Sequence, residues 1–345
     1  MRLRHSSPAA AAAVAIAVMI ASGSGAVAAA GSTSTDDPPA AACGGLRPVA
    51  PVDPACTHGG DPVPTDAAAR SSAAAAAGPT PAAPCPGDGV SGKRVRVMYG
   101  YPKDTVNRVS SKRSEIREAV ALAGVNLDEA TPGTPGQHYR AYCAKDSELT
   151  VTAVKLKAIG RDGKFGFSAV ISSLVHQKSL GLGSVNYRSG RFDYVVFVDN
   201  ISCCYLPSGQ GTLILDDRAA PSLNRNNQTS LGAKYALVRL GYPSLVLAEI
   251  FQHEVGHNLG AVQYSSPHSS LLGHCYDESD IMCYADGGPY FTGGGTLTNT
   301  CVAMPSGLPV WDCGGDDYYD DSPTSGSYLD EYWNLAESGW LSWTA

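Results

Sequence analysis

Charged side chains make up only 17% of the 345 residues, and Lys and Arg never gather into a run. A nucleic-acid partner would need a basic patch or stripe, so none is expected. The formal net charge of −7 is a mild acidic excess that argues for solubility and little else. Beyond residue 30 no apolar stretch approaches the roughly 20 residues that a membrane helix needs, so no span is expected in the mature chain. The ten cysteines contain no Cys-x-x-Cys, which argues against a cysteine-held zinc cluster. Internal repeats are absent too. Histidine is scarce, with eight in all, so a place where several gather is informative.

The amino end reads as an export signal, residues 1–30. Arg2 and Arg4 precede an apolar run from Ala9 to Ile20, and Ala26-Val27-Ala28 fits a small-x-small cleavage site. A secreted, extracellular protein with disulfide bonds is therefore expected. Residues 31–84 are rich in Ala, Pro, Ser, Thr and Gly and read as a linker or pro-segment that buries little apolar surface. Cys43 and Cys56 could staple a small loop within it. Cys275 with Cys283, and Cys301 with Cys313, are further plausible pairs because each closes a short loop.

Residues 85–345 read as one folded domain. Arg94–Tyr99 alternates as a half-buried strand does, and a helix is predicted from about Ser111 to a stop at Gly124. Further strands are expected near Leu149–Ala153, Phe192–Val198 and Gly211–Leu215, with a helix over 168–180 capped by Ser168. A long helix should run from Ser244 to Leu259, after Pro243 and before a left-handed cap at Gly260. Gly and Asp are dense between 285 and 325, which predicts irregular, disulfide-braced structure. The fold class is mixed α/β (α+β) with a loop-rich C-terminal half.

The chemistry concentrates in His253-Glu254-Val255-Gly256-His257. Two histidines four apart on a helix share one face, and both imidazoles can reach a single Zn2+ at about 2.0–2.1 Å. Glu254 follows the first ligand directly and can take a proton from zinc-bound water as general base. Hydroxide attack and proton delivery to the leaving amine would hydrolyse a peptide bond. A catalytic zinc usually has three protein ligands, so a third is needed. His268 is placed first for it, ahead of Gln263 and His274, with Asp277 and Asp280 as oxygen candidates.

The run from His253 through Gly260, followed by Asp280-Ile281-Met282-Cys283-Tyr284, resembles the metzincin zinc peptidases. In that family a third His lies three residues beyond the Gly; here that place is Gln263. The resemblance implies a twisted sheet with two long helices, the second bearing the ligands, and Met282 in a turn beneath the metal. It also implies a protein or peptide substrate, and it makes Tyr284 a candidate oxyanion donor. The expectation is a secreted zinc metalloendopeptidase; a secreted binding module that has lost full zinc coordination is the alternative. The acidic segment Asp312–Asp321 could also hold Ca2+, against a plain solvated loop. Asn200 and Asn227 open glycosylation patterns.

Overall fold

The computed structural model describes Cys43 and residues 46–49, 55–64, 85–131, 136–144, 148–158, 166–199, 207–278, 280–299 and 301–343. All of them fall in one compact unit, Pro38–Ala345. The expected export signal, Asn200 and the adjacent Cys203 and Cys204 lie outside the described residues.

Two short strands, β1 (Arg47–Pro48) and β2 (Cys56–Thr57), pair antiparallel near the amino end. The central sheet is built from β3 (Arg94–Pro102), β5 (Thr152–Leu156), β6 (Phe192–Val198), β7 (Gly209–Gly211) and β8 (Lys234–Arg239), while β4 (His138–Tyr139) pairs elsewhere. Its order is β5-β3-β6-β8-β7; the first four strands are parallel and β7 is an antiparallel edge. Parallel strands are covered on both faces and so read as continuous apolar runs. Phe-Asp-Tyr-Val-Val-Phe-Val of β6 is buried at every position.

Alternate strand residues sort the core into two layers. Val95, Val97, Tyr99, Val195 and Phe197 face the long helices α1 (Val109–Glu129) and α3 (Ser244–Leu259). Met98, Val154, Val196 and Val198 face α2 (Phe167–Val175) on the other side. The period-two alternation of a strand sets which side chain goes where. The helix expected to stop at Gly124 continues to Glu129, because Asn126 and Leu127 are buried against the rest of the fold and hold the last turn. A mid-helix glycine costs only about 1 kcal/mol against alanine, less than such burial returns. Helix α2 ends at Val175 rather than near 180, and Ser168 is not its cap: Gly166 stands there, without a side-chain hydrogen bond.

Helix α3 is buried along nearly its whole length. Gln252 ties it sideways: its Oε1 accepts from Asn126 Nδ2 of α1 at 3.0 Å and from Trp311 Nε1 at 2.9 Å. Asn258 ties it to the sheet, accepting from Thr212 N at 2.9 Å and donating to Asp193 of β6 at 2.5 Å. The expected stop is present: Gly260 is left-handed at φ 90°, and Ala261 N donates back to Gly256 O at 2.9 Å. Loops dominate beyond it, with two one-turn α-helices, α4 (Pro289–Thr292) and α5 (Tyr328–Glu331), and a 3-10 turn at Leu335–Glu337 among the described residues. Among the described residues four disulfides are formed: Cys43–Cys56, Cys85–Cys143, Cys275–Cys283 and Cys301–Cys313.

The described residues of the leader pack against the domain. Leu46 and Cys56 are buried in a small apolar cluster with Cys43 and Leu213, flanked by Leu215, Tyr264 and Leu272. Asn227 corrects another expectation. Its side chain is nearly buried, accepting from Lys93 Nζ at 2.6 Å and Gly339 N at 2.8 Å, so no glycan fits there in the folded chain.

A candidate metal centre under the sheet edge

Helix α3 carries His253, Glu254 and His257 under the edge strand β7. The 3.6-residue period puts both imidazoles on one face, and their Nε2 atoms stand 3.0 Å apart. A third imidazole arrives from the loop beyond the helix: His274 Nε2 lies 3.2 Å from His257 Nε2. All three rings are buried.

Outer partners fix how two of these rings present themselves. His253 Nδ1 lies 2.7 Å from the carbonyl oxygen of Ile281, and His274 Nδ1 lies 2.9 Å from Asp286 Oδ2. Each Nδ1 must therefore carry the proton as donor, which leaves the Nε2 lone pair aimed at the common centre. Burial, reinforced by the neighbouring His58, His253 and His274, holds His257 well below the usual histidine range. Burial opposes charge on His274 as well, but Asp286 and Asp61 outweigh it and its value is raised. Lone pairs converging at such distances repel unless a cation sits between them.

A fourth donor comes from the amino-terminal segment. Asp61 Oδ1 lies 3.3 Å from His274 Nε2 and 3.6 Å from His253 Nε2, and it accepts from Tyr284 Oη at 2.5 Å. Burial pushes the Asp61 carboxyl up, but His58 and His253 prevail and hold it well below the usual range. His58 packs over the cluster with ring centroids 4.3 Å from His257 and 4.4 Å from His274. Its burial drives it down to about 3, so it stays neutral. Donor atoms of His58, Asp61, His257 and His274 fall within 4.8 Å of one another, as do those of Asp61, His253 and Glu254, so these groups could hold a metal ion.

Glu254 is fully buried and neither of its carboxylate oxygens has a hydrogen-bond partner. Burial, then the Asp61 charge, pushes its carboxyl well above the usual range. The strand above it is glycine for a steric reason. A Cβ on Gly209 would stand 1.9 Å from Glu254 Oε1, and one on Gly211 would stand 3.1 Å from Glu254 Oε2. Gly209→Ala is therefore expected to push the Glu254 carboxylate aside, costing about 1–3 kcal/mol of strain. Any activity that depends on Glu254 should fall steeply while bound metal is retained. Metal content and turnover measured on one sample check this.

Below the helix, a Cβ on Gly256 would stand 2.6 Å from Met282 Sδ, so Met282 packs directly beneath the span between the two helical histidines. The turn that holds it is pinned by Asp280, whose carboxylate accepts from Met282 N at 2.8 Å, from Cys313 N at 2.6 Å and from Tyr318 Oη. Asp280 is thus committed to the turn rather than to the histidine cluster.

The residues ranked first and level for the third ligand place are not at the cluster. His268 does not join His253 and His257. Its backbone N–H and ring are taken up by Asp317, at 2.8 and 3.0 Å. Gln263 does not either: its Oε1 accepts from Asp216 N at 2.8 Å and its Nε2 donates to Gly260 O at 2.8 Å, closing the turn after α3. In the acidic segment, Asp312 is half-buried and spends its carboxylate on the backbone N–H groups of Asp316, Asp317, Tyr318 and Tyr319. Burial, then Asp317, pushes its carboxyl up to about 8. His268, Asp316 and Asp317 do present three donors within 4.8 Å, at a more exposed place.

The sequence reading missed Asp61, His58, Asp286, Gly209 and Gly211. His58-Gly-Gly-Asp61, which holds the leader's single histidine, was the available signal. No protein-family model matches the chain.

Proposed function

We propose that the chain is a secreted zinc-dependent endopeptidase of the metzincin kind, with His253, His257 and His274 as the protein's metal ligands. The observation that carries this reading is the convergence of three Nε2 atoms 3.0 and 3.2 Å apart beside a buried, unpartnered glutamate. A tetrahedral zinc with bonds of about 2.0–2.1 Å separates its donors by about 3.3–3.4 Å, close to the separations seen. Met282 beneath the pair and the two outer oxygen partners fit the same site. Zinc bound there would acidify a water molecule and polarise the scissile carbonyl.

The chain's own groups do the rest. Glu254 Oε accepts a proton from the attacking water and passes it to the leaving nitrogen. Its raised carboxyl suits a group that must both take and give a proton. Tyr284 Oη, close enough to the cluster to hydrogen-bond Asp61, can donate to the developing oxyanion. An extended peptide can add as a strand along the edge of β7, where Asp61 now pairs with Gly209. His274 beside His257 supports the peptidase reading over the binding-module alternative, which rested on Gln263 as a lost ligand.

Digestion of casein that is abolished by 1,10-phenanthroline and restored by added zinc tests the reading; digestion indifferent to the chelator would overturn it. Asp286→Asn adds a finer check. Loss of the carboxylate behind His274 is expected to weaken zinc binding about 10–100-fold, read by chelator competition.

A further inference from the structure

We infer that Asp193 and Lys234, a buried pair outside the metal cluster, are positioning residues for the reaction: acting through Asn258 and Thr212, they hold the end of β7 in place over Glu254 and His257. The inference rests on the zinc-peptidase reading above. The first observation is a chain of hydrogen bonds. Asn258 follows the ligand His257 on α3 and is buried. Its Oδ1 accepts from Thr212 N at 2.9 Å and from Thr212 Oγ1 at 2.6 Å. A backbone N–H can only donate, so the amide has one orientation, and its Nδ2 donates to Asp193 Oδ1 at 2.5 Å. Thr212 directly follows Gly211, the last residue of β7, on which an added Cβ would stand 2.8 Å from Glu254 O and 3.1 Å from His257 Cβ. The Asn258 clamp thus lies one residue from the closest approach of strand to helix, and it sets the space that holds the Glu254 carboxylate.

The second observation is where the pair sits and what it costs. Asp193 is the one charged residue in the apolar run of β6, and Lys234 opens β8 directly opposite it. Both are buried, and neither Asp193 Oδ2 nor Lys234 Nζ has a hydrogen-bond partner. Burial pushes the Asp193 carboxyl up against the pull of Lys234 and Asn258, and it pushes the Lys234 ammonium down against the pull of Asp193. Burial outweighs the partner in both, so the pair costs stability, and apolar side chains would fill the place at least as well.

What the pair supplies is a fixed acceptor. Asp193 takes the Asn258 N–H, and Lys234 favours the charged carboxylate where burial opposes it. With the amide held from behind, its Oδ1 stays on Thr212 and β7 keeps its height above α3. Released, Asn258 can turn, and Gly211 and Thr212 can move away from Glu254. A misplacement of about 1 Å far from the chemistry can cost about 10²-fold in rate.

The test compares the wild-type chain with two double variants. Asp193→Leu with Lys234→Met removes the pair and the acceptor; Asp193→Asn with Lys234→Met removes both charges but keeps an acceptor for Asn258. Zinc content, melting temperature, kcat and KM on a short peptide, and hydrogen exchange of the Thr212 amide are read on each. The Leu/Met variant should keep its zinc and melt no lower than wild type, yet lose about 10–100-fold in kcat with KM changed less than about threefold. Its Thr212 amide should exchange at least about tenfold faster, as a local opening does. The Asn/Met variant should return kcat and exchange to within about threefold of wild type, because the acceptor is restored. Unchanged kcat and exchange in the Leu/Met variant would overturn the inference. So would a melting temperature that falls along with kcat, since the pair would then serve the fold alone, and so would failure of the Asn/Met variant to recover. Wild-type protein that holds zinc but cuts no peptide would overturn the peptidase reading instead, and Thr212 exchange would still decide the clamp.

Discussion

Glu254→Ala is expected to abolish peptide hydrolysis while zinc stays bound. Glu254 adjoins the ligand His253 on α3 but is directed at the space under β7, where Gly209 and Gly211 leave room for its carboxylate alone. No hydrogen bond anchors it, so it has no structural duty that an alanine would betray. Its burial means that truncation removes an unsatisfied polar group, which should leave the fold at least as stable. Loss of a positioned general base costs about 10²–10⁴-fold in rate. The measurement is casein digestion and zinc content on one sample of the purified protein. Unchanged digestion would sink the mechanism; loss of zinc together with digestion would make Glu254 a ligand instead.

The second large effect separates His274 from His268. His274→Ala should release zinc, because it removes one of three converging imidazoles. The loss should go well beyond the about 10–100-fold that a supporting residue costs. His268→Ala and Gln263→Ala should leave zinc affinity unchanged, since their polar atoms serve Asp317, Asp216 and Gly260. Chelator competition on the three variants decides the order. Zinc loss in His268→Ala alone would mean that the loop after Gly260 is arranged differently from the one described.

What the sequence revealed about this site depended on how far apart its parts lie along the chain. The spacing from His253 to His257 is a helical period, so the first two ligands and Glu254 are local facts. Gly260 and Met282 could be placed because a left-handed cap and a turn before a cysteine are local too. His274 could not be ranked above His268, because both lie on irregular backbone. What separates them is Asp317, forty-nine residues further on, which captures His268. Asp61 was further out of reach, since it meets His274 only through strand addition to an edge formed more than a hundred residues later. The glycines of β7 are small because Glu254 lies under them, a contact between elements far apart in the chain. In the fold, the continuous apolar run of β6 marked a central strand, whereas the end of α1 at Glu129 followed from tertiary burial that outweighed Gly124.

Zinc K-edge absorption on the purified full-length protein tests the central claim most directly. One zinc per chain is expected, with three imidazole nitrogens and one oxygen at about 2.0–2.1 Å. A zinc shell with fewer than three imidazoles, or protein that neither contains nor takes up zinc, would contradict the account.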